Sequence, residues 1–379
     1  MKIILTLENS VNIGGGDYSI FKFAEYLAKK GNKITIFTNT ENSYVKEIRK
    51  KGLVSFYFSG YIPTILKGMG FIGRMWDKIY TFLVIDPFIR KNKDIDFIIG
   101  CHTSSTIKAN QLAKKFNIPS VSFVFETPEW MHSQLKERWI EEYRGRFKKL
   151  WIRTKKELET VDIILSNSDL TDQENKKWLH RDIQGTIYPG LDTNIVDKIK
   201  NVKKANQIIY IGRLNDYKNV DVLIKAISKI RNSPKLIICG DGEERQNLMD
   251  LAEKLKVNCE FKGRVSDNEK WVEIKKSLFM VFPTSFEGFG MPPMEALYCK
   301  IPCICTNIPI LREVYQDKVE YFKENNVNDL VKKINFLLNN PSYGKKRAIE
   351  GRNYIKSKYS WKISAEKIEK ILKDYKNEQ

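Results

Sequence analysis

The sequence predicts an α/β protein with two doubly wound, parallel-sheet (Rossmann-like) domains. Short apolar runs typical of buried strands alternate with longer amphipathic runs typical of helices, and this alternation occurs once in each half of the chain. Such a pattern favours parallel sheets that are covered by helices on both faces. A length of 379 residues also favours two domains over one.

The predicted elements follow the same order in both halves. In the first half we predict strands at Lys2–Leu7, Lys33–Thr38, Val54–Phe58, Phe97–Gly100, Ser120–Phe125, Ile163–Ser166 and Gly185–Tyr188, with a helix over Tyr18–Lys30 that ends at Gly31. In the second half we predict strands at Gln207–Ile211, Lys235–Cys239, Cys259–Lys262, Leu278–Phe282 and Pro302–Cys305. The polar segment between them predicts domains at residues 1–190 and 207–358, followed by a final helix within residues 359–379.

The composition, 42% hydrophobic and 12% aromatic, is that of a globular protein. No apolar run reaches the roughly 18 residues that span a bilayer. The first residues, Met1 to Glu8, are typical of a core strand and too short for a signal peptide, so we expect a cytoplasmic protein. The six cysteines and three histidines lack zinc-site spacing, and we predict no metal site.

The net charge of +19 is concentrated in the first domain, because residues 1–156 carry +13 of it. A basic domain favours an anionic partner such as anionic lipid or a polyphosphate lipid carrier, although a generally lysine-rich composition would give the same charge. We expect no nucleic-acid partner, since the sequence shows no zinc finger or RNA-binding aromatic motif. The segment Tyr61–Arg90 mixes aromatic and basic residues, which is typical either of a membrane-surface stretch or of core.

Two glutamates, Glu287 and Glu295, flank a glycine loop that follows the predicted strand Phe279–Phe282. Prolines after the loop favour the start of a helix. Backbone N–H groups at Gly290 and Met291 would then point, with the positive end of the helix dipole, at a bound anion. Such a site suits an anion flanked by hydroxyl groups, as in a nucleotide-sugar.

Arg213 and Lys218 follow the strand Gln207–Ile211, and the carboxyl ends of parallel strands are where doubly wound sheets bind ligands. One planar guanidinium and one ammonium there suit a diphosphate. Gly14, Gly15 and Gly16 follow the first strand, and we predict a loop whose backbone a phosphate or acceptor can approach, with a structural tight turn as the alternative. The glycine spacing of a dinucleotide-binding fingerprint is absent.

A longer string resembles the Glu-x7-Glu signature of family 4 of the retaining glycosyltransferases (the group 1 glycosyltransferases), which adopt the GT-B fold; it comprises Ser285, Glu287, Gly288, Phe289, Gly290, Pro293, Glu295 and Ala296. That fold implies two domains facing across a cleft and a last helix that crosses back to the first domain. By position, the resemblance implies that Glu287 lies against the donor sugar and Glu295 binds the ribose. The backbone of residues 288–291 would meet the sugar and the diphosphate.

The same resemblance implies further contacts. It makes Arg213 and Lys218 the diphosphate clamp, so that catalysis needs no metal, and it places Arg264 and Val265 near the base. Many members carry a histidine after the strand that corresponds to Ser120–Phe125, where this chain has Glu126. We expect Glu126 to contact a sugar hydroxyl or to stabilise positive charge at the anomeric carbon, with His102 as the alternative.

The function implied is transfer of a hexose from a GDP- or UDP-type sugar, with retention, to a hydroxyl acceptor that is a lipid-linked or cell-surface glycan precursor. No cofactor is expected, and the enzyme would be cytoplasmic or peripheral on the inner membrane face. Pro292 and Pro293 resemble mannosyl- and rhamnosyl-type members, which favours GDP-mannose. The alternatives are an epimerase or hydrolase of the same fold, and a non-catalytic basic protein that binds membranes.

Overall fold

A computed structural model of the chain describes residues 1–7, 15–39, 41–59, 70–127, 146–193, 195–200 and 202–379. The described residues form two compact units, one containing residues up to 188 together with 361–379, the other containing residues 189–360. Each unit has its own parallel sheet, as predicted. None of the helices in the described ranges is both long and apolar enough to cross a bilayer.

The first unit has seven parallel strands in the order β3-β2-β1-β4-β5-β6-β7. They are β1 Lys2–Leu7, β2 Lys33–Thr38, β3 Val54–Phe58, β4 Phe97–Cys101, β5 Ser120–Phe123, β6 Ile163–Ser166 and β7 Gly185–Thr186. In register, Leu5 pairs with Ile36 on one side and with Ile99 on the other. The central strands are buried on both faces, which explains their continuous apolar sequence.

The helices of the first unit are α1 Gly15–Lys29, α2 Ser43–Lys50, α3 Gly70–Tyr80, α4 Asp86–Lys91, α5 His102–Phe116, α6 Arg146–Leu158, α7 Asp169–Leu179 and α15 Trp361–Glu378, and a π-helical turn, Thr81–Ile85, joins α3 to α4. Helix α15 is the last element of the chain. Its Trp361 is 1% exposed and packs edge-on against Phe23, with ring centroids 5.5 Å apart. Further along α15, Glu369 accepts a hydrogen bond from Asn32 at 3.2 Å.

The second unit has six parallel strands in the order β10-β9-β8-β11-β12-β13. They are β8 Gln207–Ile211, β9 Lys235–Cys239, β10 Cys259–Gly263, β11 Phe279–Phe282, β12 Cys303–Thr306 and β13 Glu320–Phe322. The helices are α8 Val220–Ser228, α9 Arg245–Lys254, α10 Asp267–Lys276, α11 Met291–Tyr298, α12 Pro309–Tyr315, α13 Val327–Asn339 and α14 Pro341–Lys358, and a 3-10 turn, Asp216–Lys218, precedes α8. Cys303 and Cys305 are buried in β12, as core residues.

Three sequence predictions differ from the structure by more than one residue, and one strand was not predicted. Strand β5 ends at Phe123, because the side-chain amide of Asn175 donates a hydrogen bond to the carbonyl of Val124, which is then not available to the sheet. Strand β7 ends at Thr186, and the carbonyl of Tyr188 accepts from Ser364 instead. Helix α1 begins at Gly15, so Gly15 and Gly16 belong to its first turn and not to a loop. Strand β13 was not predicted, because three residues at a sheet edge carry too little pattern.

The described part of the stripe Tyr61–Arg90 has two apolar faces. One contributes Tyr80, Ile85 and Ile89 to the core of the first unit. The other is exposed, with Met75, Trp76, Ile79, Phe82 and Leu83 between 38% and 70% accessible. Core and surface interpretations therefore apply to opposite sides of one helical segment, while residues 61–69 and the side chains of residues 70–74 lie outside the description.

Candidate functional site

The candidate site of the second unit lies where its strand order reverses. Strands β8 and β11 are neighbours, although β9 and β10 continue on one side and β12 and β13 on the other. A doubly wound sheet binds ligands at the carboxyl ends of the strands at such a switch point. The segment that carries Arg213 and Lys218 follows β8, and the segment that carries Glu287 follows β11.

Lys218 and Glu287 form an ion pair between these two segments. Nζ of Lys218 lies 2.5 Å from Oε1 of Glu287, and the two side chains are 8% and 14% exposed. The ammonium also lies over the ring of Tyr217, 4.8 Å from its centroid. A largely buried carboxylate is thus fixed in position by a cation, and both groups lie at the edge where a ligand would bind.

Asn219 also connects the same two segments. Its backbone is left-handed, with φ of 50°, and its side-chain amide donates to Oγ of Ser285 at 2.5 Å and to the carbonyl of Pro283 at 3.2 Å. The amide of Ser285 in turn donates to the carbonyl of Tyr217 at 2.9 Å. Asn219 was not predicted as a site residue, although the preference of asparagine for a left-handed backbone is a signal that points to it.

Gly290 caps helix α11 in a left-handed conformation, with φ of 82°, and a Cβ there would lie 2.8 Å from Leu311. The hydroxyl of Tyr315 donates to the carbonyl of Gly290 and accepts from the amide of Met294. Because residues 292 and 293 are prolines, the remaining amides of this turn are those of Gly290 and Met291. Within the described residues these two amides donate to no protein acceptor, which leaves them available to an anion.

Glu295 is buried on helix α11 and pairs with Lys270 of helix α10, at 2.6 Å between Oε1 and Nζ. Asp267 approaches the same ammonium at 3.4 Å. Burial raises the pKa of Glu295 above its ordinary value in spite of the lysine beside it. Lys270 was not predicted from the sequence, because no local signal points to it: it lies on a different helix from Glu295.

The other predicted donor contacts are less closely grouped. Arg213 is exposed, and its guanidinium donates to the hydroxyl of Tyr217 at 3.3 Å, one residue before Lys218. The neighbouring glycine loops stack tightly, since a Cβ at Gly240 would lie 1.8 Å from the carbonyl oxygen of Gly212. Arg264 and Val265 follow β10, which is separated from β8 by β9. Phe289 is buried against Tyr359, with centroids 5.5 Å apart, so its backbone and not its ring is available.

The first unit has a corresponding switch point between β1 and β4. Gly16, after β1, faces His102, after β4: a Cβ on this glycine would lie 2.8 Å from Cε1 and Nε2 of the imidazole. His102 has φ of 61°, a strained value for a residue other than glycine, and its Nε2 lies 3.7 Å from Oδ1 of Asp17. Glu126, half-buried, lines a pocket together with His102 and Trp151. The structure therefore brings Gly16, His102 and Glu126 together, while Gly14 lies outside the described residues.

The described ranges contain no group of three or more histidine, cysteine, aspartate or glutamate side chains placed to hold a metal ion. In the second-unit site Lys218 pairs with Glu287 and Lys270 with Glu295, and Arg213 adds a further positive charge. The cations and the backbone amides of this site can bind an anion, and its carboxylates can accept hydrogen bonds from hydroxyl groups.

Known proteins resemble this chain over its second unit and over its whole length. Residues 192–358 match the family described as glycosyl transferases group 1. The chain is 32% identical over 191 residues to an uncharacterised glycosyltransferase of Methanocaldococcus jannaschii, which covers 50% of this chain and 53% of that protein. The chain thus spans about half the length of that curated relative. It is also 24% identical to the alpha-1,3/1,6-mannosyltransferase ALG2 of Dictyostelium discoideum, over 98% of this chain and 97% of that one.

Among solved structures, sucrose-phosphate synthase from Thermosynechococcus elongatus superposes with a TM-score of 0.79 at 16% identity, covering 100% of both chains. At this identity the likeness establishes the fold, which is that of the GT-B glycosyltransferases. The match to the group 1 glycosyltransferases covers residues 192–358, which lie in the second unit.

Proposed function

We propose that the chain transfers a hexose, with retention at the anomeric carbon, from a nucleoside-diphosphate sugar to a hydroxyl acceptor. The observation that carries this proposal is the pairing of Glu287 with Lys218 at the switch point. Glu295 lies close by in sequence, on helix α11, which begins four residues after Glu287. In the proposed reaction the bond from the anomeric carbon to the diphosphate breaks. The acceptor oxygen bonds to the same face, and the departing diphosphate takes the acceptor proton.

The roles of the residues follow from their charges. Arg213, Lys218 and the amides of Gly290 and Met291 would stabilise negative charge on the departing diphosphate. Glu295 would accept hydrogen bonds from the ribose, and Glu287 would lie against the donor sugar. In the first unit we infer that Glu126 contacts a sugar hydroxyl. GDP-mannose is the favoured donor, supported by the paired prolines and by the name of the mannosyltransferase relative.

A thermal-shift screen of UDP-, GDP-, ADP- and dTDP-sugars tests the donor assignment. We expect GDP-mannose to stabilise the protein most, and NMR of the product should show the anomeric configuration of the donor. Release of free sugar without acceptor would identify a hydrolase instead. No stabilisation by any nucleotide-sugar would contradict the proposed function.

Transfer activity should persist in EDTA, because Arg213 and Lys218 supply the positive charge for the diphosphate. A loss of activity in EDTA that magnesium or manganese restores would contradict this role of Arg213 and Lys218.

We also infer that the acceptor is lipid-linked or a cell-surface glycan precursor and that the enzyme works at the inner face of the plasma membrane. The support is the basic first domain, with +13 of the net charge in residues 1–156. Each lysine or arginine near an anionic surface contributes about 1 kcal/mol. Co-sedimentation with phosphatidylglycerol vesicles should therefore be clear at low salt and weaken as salt rises. Equal sedimentation with neutral and anionic vesicles would contradict the charge argument.

A further inference from the structure

A small polar pocket lies at the carboxyl ends of β1 and β2 in the first unit, apart from the pocket of Glu126. Its lining includes Thr38, Asn39, Tyr80, Ser105 and Lys108. Its volume of ≈ 10 Å³ is close to that of a single water site, so it admits one oxygen-bearing group and not a whole sugar ring. It opens at the edge of the sheet where parallel-sheet proteins bind their ligands.

The buried hydroxyl of Tyr80 indicates that this pocket binds a ligand. The residue is 8% exposed, and its hydroxyl has no hydrogen-bond partner in the part of the chain that the structure describes. Burial raises the pKa of Tyr80 to about 12, so that its hydroxyl stays protonated and can donate. A buried hydroxyl without a partner costs free energy, and a ligand oxygen would remove that cost.

Lys108 supplies positive charge beside the same hydroxyl. Its Nζ lies 5.8 Å from the centroid of the Tyr80 ring. The same Nζ contacts Asp77, which lies one turn before Tyr80 in helix α3. An ammonium has three donors, and Asp77 takes one of them. The side chain is 14% exposed, so its charge is only partly screened by solvent. The pocket thus combines two kinds of donor, which suits an anionic oxygen.

The exposed side of the same helical segment is apolar. We call Met75, Trp76, Ile79, Phe82 and Leu83 the outer apolar patch; their spacing places them on one helical face. Phe82 is 70% and Leu83 63% exposed. The indole of Trp76 donates to the carbonyl of Ser59 at 2.9 Å, and Ser59 contacts Asn39 of the pocket lining. Pocket and patch are therefore adjacent, on two sides of one helix.

We propose that the pocket and the outer apolar patch together bind a lipid phosphate, with a phosphate oxygen at Tyr80 and Lys108 and the hydrocarbon chain on the patch. A polar site beside exposed bulky apolar side chains matches a ligand with an anionic end and an apolar body, and Lys78 adds an exposed cation to the patch. The inference rests on the proposed function in one respect, because the lipid phosphate would be either the acceptor itself or the part of the acceptor that holds the acceptor at the membrane.

Calorimetric titration of the full chain with three probes tests this site: farnesyl diphosphate, farnesol and inorganic diphosphate. Saturating GDP and UDP keep the phosphate site of the second unit occupied. We expect farnesyl diphosphate to bind more tightly than either of the other probes. Equal binding of inorganic diphosphate would indicate a free-phosphate site, and equal binding of farnesol a purely apolar one; each result, like no binding at all, would overturn the proposal.

Two variants separate the two parts of the site. Tyr80→Phe removes a hydroxyl that has no hydrogen-bond partner among the described residues, so stability should not fall, while affinity for both diphosphates should drop about fivefold. Tyr57→Phe is the matched control, because Tyr57 lies on the neighbouring β3 outside the pocket lining. An unchanged affinity in Tyr80→Phe would contradict the assignment.

The double variant Phe82→Ser/Leu83→Ser should weaken farnesyl diphosphate binding by about tenfold or more and leave inorganic diphosphate binding unchanged. Ile349→Ser, an exposed isoleucine of the second unit, is its control. If the double variant instead abolishes self-association in sedimentation, a second copy of the chain covers the patch and the proposal is wrong. Failure of the nucleotide-sugar screen would remove the proposed function without affecting these titrations, so the two outcomes are distinguishable.

Discussion

Lys218 and Glu287 are 69 positions apart in the sequence, yet the ammonium of one lies 2.5 Å from the carboxylate of the other. The contact joins the segment after β8 to the segment after β11 at the switch point of the second sheet. Both side chains are largely buried, so each depends on the other for compensation of its charge.

Removing both partners should therefore cost less than the sum of the two single removals. We expect Lys218→Met to lower the free energy of unfolding by about 3 kcal/mol, because Glu287 is left buried without a cation. The double variant Lys218→Met/Glu287→Gln should lose about 1–3 kcal/mol less than the sum of the single losses. Urea unfolding measures all three. The exposed pair Lys225–Asp221 is the control and should change stability by less than about 1 kcal/mol; additive losses at Lys218 and Glu287 would contradict the coupling.

Glu295→Ala should weaken binding of the nucleoside-diphosphate sugar by about 1–3 kcal/mol, the usual cost of leaving polar partners unpaired. The buried Lys270 loses its carboxylate in this variant, so a stability measurement must accompany the calorimetry. Glu260→Ala, which removes a half-buried carboxylate from β10, is a suitable control. Donor affinity that stays the same in Glu295→Ala would exclude the ribose assignment.

Gly16→Ala and Gly15→Ala form a matched pair in the first turn of α1. A Cβ at position 16 meets the His102 ring at 2.8 Å, whereas a Cβ at position 15 meets nothing within 4 Å. We expect Gly16→Ala to lower stability by about 1–3 kcal/mol through overpacking. Gly15→Ala should be neutral or stabilising, because alanine favours a helix. Thermal unfolding compares them, and equal effects would mean that His102 moves without cost. A loss of transfer in Gly15→Ala at full stability would indicate that a substrate approaches this backbone.

Glu25 should make the first unit sensitive to acid. Burial alone would raise its pKa, but the hydrogen bond from Lys29 and the charge of Lys22 outweigh it and lower the pKa from 4.5 to about 2. A folded-state pKa below the unfolded value means that the carboxylate stabilises the protein above pH 4.5, and that this stabilisation is lost as the pH falls from 4.5 towards about 2.

Glu25→Gln should accordingly lower the Tm strongly near neutral pH, and the difference from the parent protein should shrink as the pH approaches the folded-state pKa. Glu47→Gln provides the control, since this glutamate is 54% exposed and pairs with the same Lys51. A difference in Tm that is constant across the pH range would contradict the ionic role of Glu25.

Local patterns predicted both sheets well, because buried parallel strands are short apolar runs that need no knowledge of their partners. The string from Glu287 to Glu295 was equally visible, since one loop carries it. Lys270 and Asn219 could not be found in that way, because each acts on a residue of another element. The position of Glu126 beside His102 and Trp151 also depends on strand order, which the sequence leaves open. Long-range contacts of this kind are set by tertiary packing and have no local signature.

The place of Trp361 has a consequence for how the protein is made. This indole packs against Phe23 in the first unit, but the ribosome synthesises all of residues 189–360 between that unit and helix α15. The first unit therefore emerges with the surface around Phe23 uncovered by α15, while the second unit is still being synthesised. During that interval the growing chain exposes apolar surface that the finished protein buries, and exposed surface of this kind makes a partly folded chain prone to aggregate.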